Sequence, residues 1–294
     1  MKVWQVSREW SIDGMDLVEQ PEPRPGAGQI VVRMRAASLN YRDLLTVQGK
    51  GGSYKLPIIP FSDGAGEVAL VGEGVTRVAV GDRVCPMFFQ SWIDGNASAT
   101  NRRLALGGTR PGVLQELMLL DAEGVSLIPS NLTFEEAATL PCAGLTAWRA
   151  LFDEARIRPG DTVLVQGTGG VSIFALQFAK LAGAAVIVTS SSDDKLQRAK
   201  ALGADHTIPR SSRLGEGGRG LGWGRCRSHR GGRRQRHVAA IDRSRAGWRD
   251  HPDHRSAVRL CPADRDTKPV WKKSARDRSL RGEPKNVPAD GFRD

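Results

Sequence analysis

Hydrophobic positions change pattern along this chain. Up to about residue 125 they come in short runs punctuated by glycine: Ile30–Ala37, then Gly64–Gly72, then Val78–Val84 with its central Gly81-Asp82. Such runs suit strands, and Gly-Asp supplies turn chemistry, so 78–84 is expected to be two short strands about a turn. Many short strands with glycine between them predict a partly open β-barrel rather than a parallel sheet.

Near residue 133 the pattern changes. Thr133 followed by Glu135-Glu136 predicts a capped helix start, leading into Ala137–Leu140. A second helix is expected over Leu145–Asp153. Asp161–Gln166 then reads as a buried parallel strand, and Gly167-Thr168-Gly169-Gly170 as a tight turn. Val171–Ala182 reads as an apolar helix, Ala185–Thr189 as a second strand, and Asp193–Leu202 as a second helix closed by Gly203. This βαβα order starts a doubly wound sheet.

The glycine turn points to chemistry. Glycine lets the backbone approach a diphosphate closely, and the free N–H groups of a helix start hold its charge. The pattern is Gly167-x-Gly169-x-x-Ser172, with Gly170 in addition and serine at the third fingerprint position. Its place at a strand–helix junction gives it weight that a lone Gly-x-Gly lacks. Thr168 and Val171 belong to the same candidate cradle. The second strand ends in Ser190-Ser191-Ser192, followed by Asp193, Asp194 and Lys195. A carboxylate at that strand end would favour NAD by accepting from the ribose 2′-OH. Hydroxyls from Ser190 and Ser191 with the cation of Lys195 suit a 2′-phosphate, so NADP is expected ahead of NAD. The plainer alternative is that these serines only start the next helix.

Charge divides the chain. It carries 43 Lys+Arg against 32 Asp+Glu, but residues 1–210 hold 21 basic and 22 acidic side chains, leaving 22 and 10 for 211–294. That last stretch also has four of the five histidines and no sustained apolar period, which predicts a disordered basic tail. It contains no recognisable nucleic-acid module, so a nucleic-acid partner is not expected. The four cysteines form no C-x-x-C pair, the N-terminus has no signal-peptide apolar region, and no run is long enough to span a bilayer. A soluble cytoplasmic protein is the expectation.

Four blocks in order, Asn40-Tyr41-Arg42-Asp43, Gly81-Asp82-Arg83-Val84, Leu140–Ala147 and Val165–Ser172, give residues 1–208 a resemblance to the medium-chain dehydrogenase/reductase superfamily. The similarity is to its zinc-free alcohol-dehydrogenase-like and quinone oxidoreductase branch. It implies a GroES-like catalytic domain over 1–125 and the first half of a Rossmann domain over 126–208. It further implies hydride exchange between a nicotinamide and a carbonyl, alcohol, quinone or activated alkene, with Thr146 beside the nicotinamide. Relatives are usually homo-oligomers acting on small molecules.

Zinc-dependent relatives ligate the metal through Cys, His and Cys or Asp. Here Ser38–Arg42 offers no cysteine, Ser62–Glu67 offers no histidine, and Cys142 alone matches a ligand position. One cysteine does not make a three-ligand site, so no metal is expected. Hydrogen-bond donors are then left to polarise the substrate. The resemblance implies Tyr41, within the block begun by Asn40, with packing in the barrel wall as its alternative. Asp43 and Asp63 are weaker candidates; for both, a turn or ion-pair carboxylate is the plainer reading.

The tail has a second explanation. If each codon takes the last two bases of one residue and the first of the next, Trp248–Ser256 can encode Gly-Gly-Ile-Ile-Leu-Ile-Ile-Gly. Arg225–Arg234 can likewise yield Gly-Val-Asp-His-Ile-Val-Glu-Val-Gly. Both are family strands in family order, which points to a shifted reading frame from about residues 209–213. A Rossmann sheet of two strands, poor stability and impaired activity are then expected. A non-enzymatic NADPH-binding protein and a nucleic-acid-binding tail are the competing readings.

Overall fold

A computed structural model describes residues 1–52, 54–96 and 98–209, and the backbone of 237–242 and 258–262. Two strands, β1 (Lys2–Val6) and β2 (Met15–Glu19), open the chain as an antiparallel pair. A five-stranded antiparallel sheet follows, from β3 (Gln29–Ser38), β4 (Asp63–Val71), β5 (Arg83–Pro86), β6 (Leu117–Asp121) and β7 (Val125–Leu127), in the order β6-β3-β4-β5-β7. Ile30, Val32, Val68 and Val84 are fully buried in its core with Met118 and Val125 beside them. Each such side chain contributes roughly 1.5–3 kcal/mol. Between β3 and β4 sits the helix α1 (Tyr41–Val47).

The expected strand over Val78–Val80 is not formed. Asp82 accepts from the Ala79 N–H at 2.8 Å, and the Gly81 N–H donates to Val68 O at 2.9 Å. These bonds fold the segment into a turn, so only the half from Arg83 onward is extended.

The sheet's outer face is covered by α2 (Phe134–Ala138), whose Ala137 and Ala138 pack on Ala65 and Cys85. Thr133 caps it as the sequence predicts. Its Oγ1 accepts from the Glu136 N–H at 3.2 Å, and the Glu136 carboxylate accepts from the Thr133 N–H at 2.9 Å. The expected helix over Leu145–Asp153 is a composite. A π-helical turn at Leu140–Gly144 leads into α3 (Leu145–Trp148), and a second π segment runs over Arg149–Glu154.

The second sheet is built from β8 (Thr162–Gln166), β9 (Ala185–Ser190) and β10 (His206–Pro209), all parallel, with α4 (Gly170–Leu181) and α5 (Asp193–Ala201) as crossovers. Val163, Val165, Val186 and Val188 sit beneath Ala175, Leu176 and Ala179 of α4. Here the sequence reading needs correction, because it ended the sheet after two strands. β10 joins one edge, and β11 (His237–Asp242) and β12 (Val258–Pro262) extend the other. β11 pairs with β8 in parallel and β12 with β11 antiparallel, giving the order β10-β9-β8-β11-β12. The physical reason is the open edge of β8, whose backbone groups need partners that a short extended segment supplies. The other residues from 210 onward, where the frame-shift reading begins, lie outside the described set. Among the described residues, no helix is long and apolar enough to cross a membrane.

Candidate functional site

The glycine loop joins β8 to α4. Gly167 takes φ +88°, a left-handed conformation that a side chain would strain. Gly169 is the extended N-cap residue, and Gly170 and Val171 open the 12-residue α4. The first N–H groups of such a helix lack intrahelical partners and carry partial positive charge, which suits a phosphate. Ser172 replaces glycine at the third fingerprint position. Its hydroxyl donates to Gln166 O at 3.2 Å, tying the helix start back to the strand end. Thr168 and Ser190 meet, with their hydroxyls 3.4 Å apart. Ser191 and Lys195 are exposed around the start of α5. Its cap is Ser192, whose Oγ accepts from the Lys195 N–H at 3.4 Å. The helix-start role proposed for the serines therefore falls on Ser192.

Thr146 lies on α3. With Cys142 it lines a cleft of about 630 Å³ between the segment after β5 and the helical stretch 137–153. Phe89, Trp92, Leu140 and Trp148 give this cleft apolar walls. Arg149 spans it, its guanidinium 5.0 Å from the Trp92 ring centre. The glycine loop is not part of the lining. The two are linked through Gly170, where an added Cβ would lie 3.4 Å from the Cβ of Ala143.

Of the three catalytic candidates, the fold brings Asn40 and Asp63 together. Asp63 is fully buried at the start of β4. Its carboxylate accepts from the Ser62 hydroxyl and from the Cys142 backbone N–H, each at 2.8 Å. Burial pushes its pKa up to about 6, against the opposing pull of these donors and of the Asn40 side chain. Asn40 Nδ2 is itself buried, without a hydrogen bond of good geometry. Burial also pushes the Cys142 thiol up to about 12, with the Asp63 charge adding to the effect.

Tyr41 begins α1 and is 61% exposed, so the barrel-wall alternative is not what the fold shows. Asp43 is a structural carboxylate, as its plainer reading held. It accepts from the Asn40 N–H at 2.8 Å and pairs with Arg42 at 3.0 Å. Its pKa is raised by burial, with Arg42 pulling the other way. Arg42 is the residue that sequence reasoning missed. It also donates to Leu106 O at 3.2 Å and lies over the Phe88 ring at 4.8 Å. Its adjacency to Asp43 was the available signal. Among the described residues no group of three or more His, Cys, Asp or Glu is arranged to hold a metal ion.

Residues 26–130 match the family described as alcohol dehydrogenase GroES-like domain, and residues 170–219 match zinc-binding dehydrogenase. A zinc-type alcohol dehydrogenase-like protein of Schizosaccharomyces pombe is 49% identical over 204 residues, which is 67% of this chain and 59% of that protein. A crystal structure of an NAD-dependent alcohol dehydrogenase superimposes with TM-score 0.66 at 38% identity, covering 72% of this chain and 64% of the other. A quinone oxidoreductase of Pseudomonas syringae does so with TM-score 0.60 at 33% identity, over 72% and 59%. The chain thus spans less than two thirds of the length of each of these relatives.

Proposed function

Because this chain belongs, from β1 to β10, to the medium-chain dehydrogenase/reductase superfamily, we propose that its fold serves an NADP(H)-dependent oxidoreductase working without zinc on a carbonyl, alcohol, quinone or activated alkene. The observation that carries this reading is the glycine loop at the start of α4, beside a β9 that ends in hydroxyls. When bound, the nicotinamide supplies or accepts a hydride. The backbone N–H groups of Gly169, Gly170 and Val171 hold the diphosphate, with Gly167 making the turn and Thr168 at its flank. Ser190, Ser191 and Lys195 take the 2′-phosphate. Thr146 would lie beside the nicotinamide and Tyr41 would donate to the substrate oxygen, while the buried Asn40 amide is held near Asp63.

The donor set supports the zinc-free part. The Asp63 carboxylate beside Cys142 already accepts two hydrogen bonds, from the Ser62 hydroxyl and the Cys142 N–H. Among the described residues Cys142 belongs to no group of three or more His, Cys, Asp or Glu that could hold zinc. We also propose that turnover is impaired in this copy. The support is the shifted reading frame from about residues 209–213, which would replace the residues that follow.

The test is a titration of the full-length chain with NADPH and NADH, read by reduced-nicotinamide fluorescence. Tighter binding of NADPH, by about tenfold or more, is expected if serines and lysine meet a 2′-phosphate. Equal or tighter binding of NADH would end the NADP assignment, and binding of neither would end the dinucleotide reading.

A further inference from the structure

We propose that Asp63 is a positioning residue that fixes the barrel against the nicotinamide-side helical stretch. The inference rests on the oxidoreductase reading only for its cofactor consequence. Asp63 belongs to β4, and the N–H it accepts belongs to Cys142, 79 residues later in the chain. Cys142 follows Pro141 at the beginning of the π-helical turn Leu140–Gly144. N–H groups at the beginning of a helical segment need an outside acceptor, and a carboxylate there also meets favourable partial charge. Asp63 therefore acts as a cap supplied by another part of the fold. The Ser62 hydroxyl donates to the other carboxylate oxygen and so orients it.

The contact continues past Cys142. Its neighbour Ala143 is buried and sits against Gly170, where an added Cβ would be 3.4 Å away. Gly144 packs towards Leu140 and the ring of Phe174 on α4. The path Asp63–Cys142–Ala143–Gly170 thus joins the barrel to the first turn of α4. The same turn leads into α3 and Thr146. A shift at Cys142 would move Thr146 and Gly170 together.

Three variants of the full-length chain test this. Each is read by exchange of the Cys142 amide hydrogen, by NADPH titration and by thermal melting. Asp63→Ala removes the acceptor, and is expected to raise Cys142 exchange and weaken NADPH binding by about tenfold each. Asp63→Asn keeps an acceptor oxygen, and should restore both to within about threefold of the parent. Ser62→Ala loses a hydrogen bond to the same carboxylate without touching the Cys142 N–H. It should leave both readouts within about threefold even if its melting temperature falls. Parent-like exchange in Asp63→Ala would overturn the proposal. A tenfold rise in Ser62→Ala would do so as well, since general loosening would then explain the protection. If Asp63→Ala does not fold, the Asn and Ser62 variants decide. A parent chain that binds no NADPH defeats the dinucleotide reading alone, and the exchange data still decide the tie.

Discussion

The hydroxyl of Thr168 lies 3.4 Å from the hydroxyl of Ser190. One belongs to the glycine loop and the other to the end of β9, so the two ends of the proposed dinucleotide cradle meet without a carboxylate between them. Ser190→Asp would put a negative charge where the 2′-phosphate is proposed to sit. NADPH affinity is expected to fall on the order of tenfold or more, with NADH affinity unchanged or improved. Parallel titrations with both cofactors check this, and an unchanged ratio would remove Ser190 from the site.

Gly167 tests the backbone of the same loop. Its φ of +88° suits glycine, and little surrounds the position of a missing Cβ. Gly167→Ala should therefore cost about 1–2 kcal/mol through conformation rather than collision. The urea midpoint measures this. A gain in stability would mean that the loop is not held in this conformation.

Asp63 should leave a signature in the pH dependence of stability. Its folded pKa of about 6 lies above the ordinary value of 3.8 because burial disfavours the charge. The folded state then holds the proton more tightly. This stabilising contribution is complete below about 3.8 and is lost as pH rises through 6. Asp63→Asn removes the buried charge. It should exceed the parent by on the order of 2–3 kcal/mol at pH 8, with the gap closing towards pH 4. Denaturant unfolding of both proteins across that range is the measurement, and a gap that widens on acidification would contradict the assignment. Burial pushes the Cys85 and Cys142 thiols up to about 12, so both stay protonated across that range.

The Arg42–Asp43 pair should matter for folding. The Asp43 side chain is 1% exposed and that of Arg42 10%. Asp43→Ala would leave a guanidinium without its counter-charge and the Asn40 N–H without its acceptor. A loss of about 3–5 kcal/mol is expected. A melting temperature within a few degrees of the parent would show that water reaches this pair.

If the reading frame is shifted, restoring it should change what the chain can do. A gene corrected by one base near the codons for 209–213 is expected to give a protein with a sharper thermal transition and higher NADPH-dependent turnover. Neither gain would appear if the sequence from 210 onward is native to the protein.

Sequence alone determined the parts governed by local rules. Thr133 with Glu136 specified a helix start, because a capping box closes within one turn of chain. The apolar runs at 161–166 and 185–189 specified buried parallel strands, and Gly167–Gly170 the turn between strand and helix. Ser192 at the start of α5 was legible for the same reason, since a cap acts within one turn. The tertiary structure decided the pairings that local rules do not reach. Nothing near Asp63 in sequence indicates that its carboxylate meets the Cys142 N–H, since that contact exists only once the barrel and the helical stretch have packed. The fold separated Tyr41 from Asn40 in exposure, although they are adjacent, because a helix starts between them. It recruited β11 beside β8, because an open sheet edge takes a backbone partner with little regard to which side chains that partner carries. Patterns repeat over a few residues and can be read directly, whereas desolvation, edge pairing and contacts across the fold depend on what the whole chain has excluded from water.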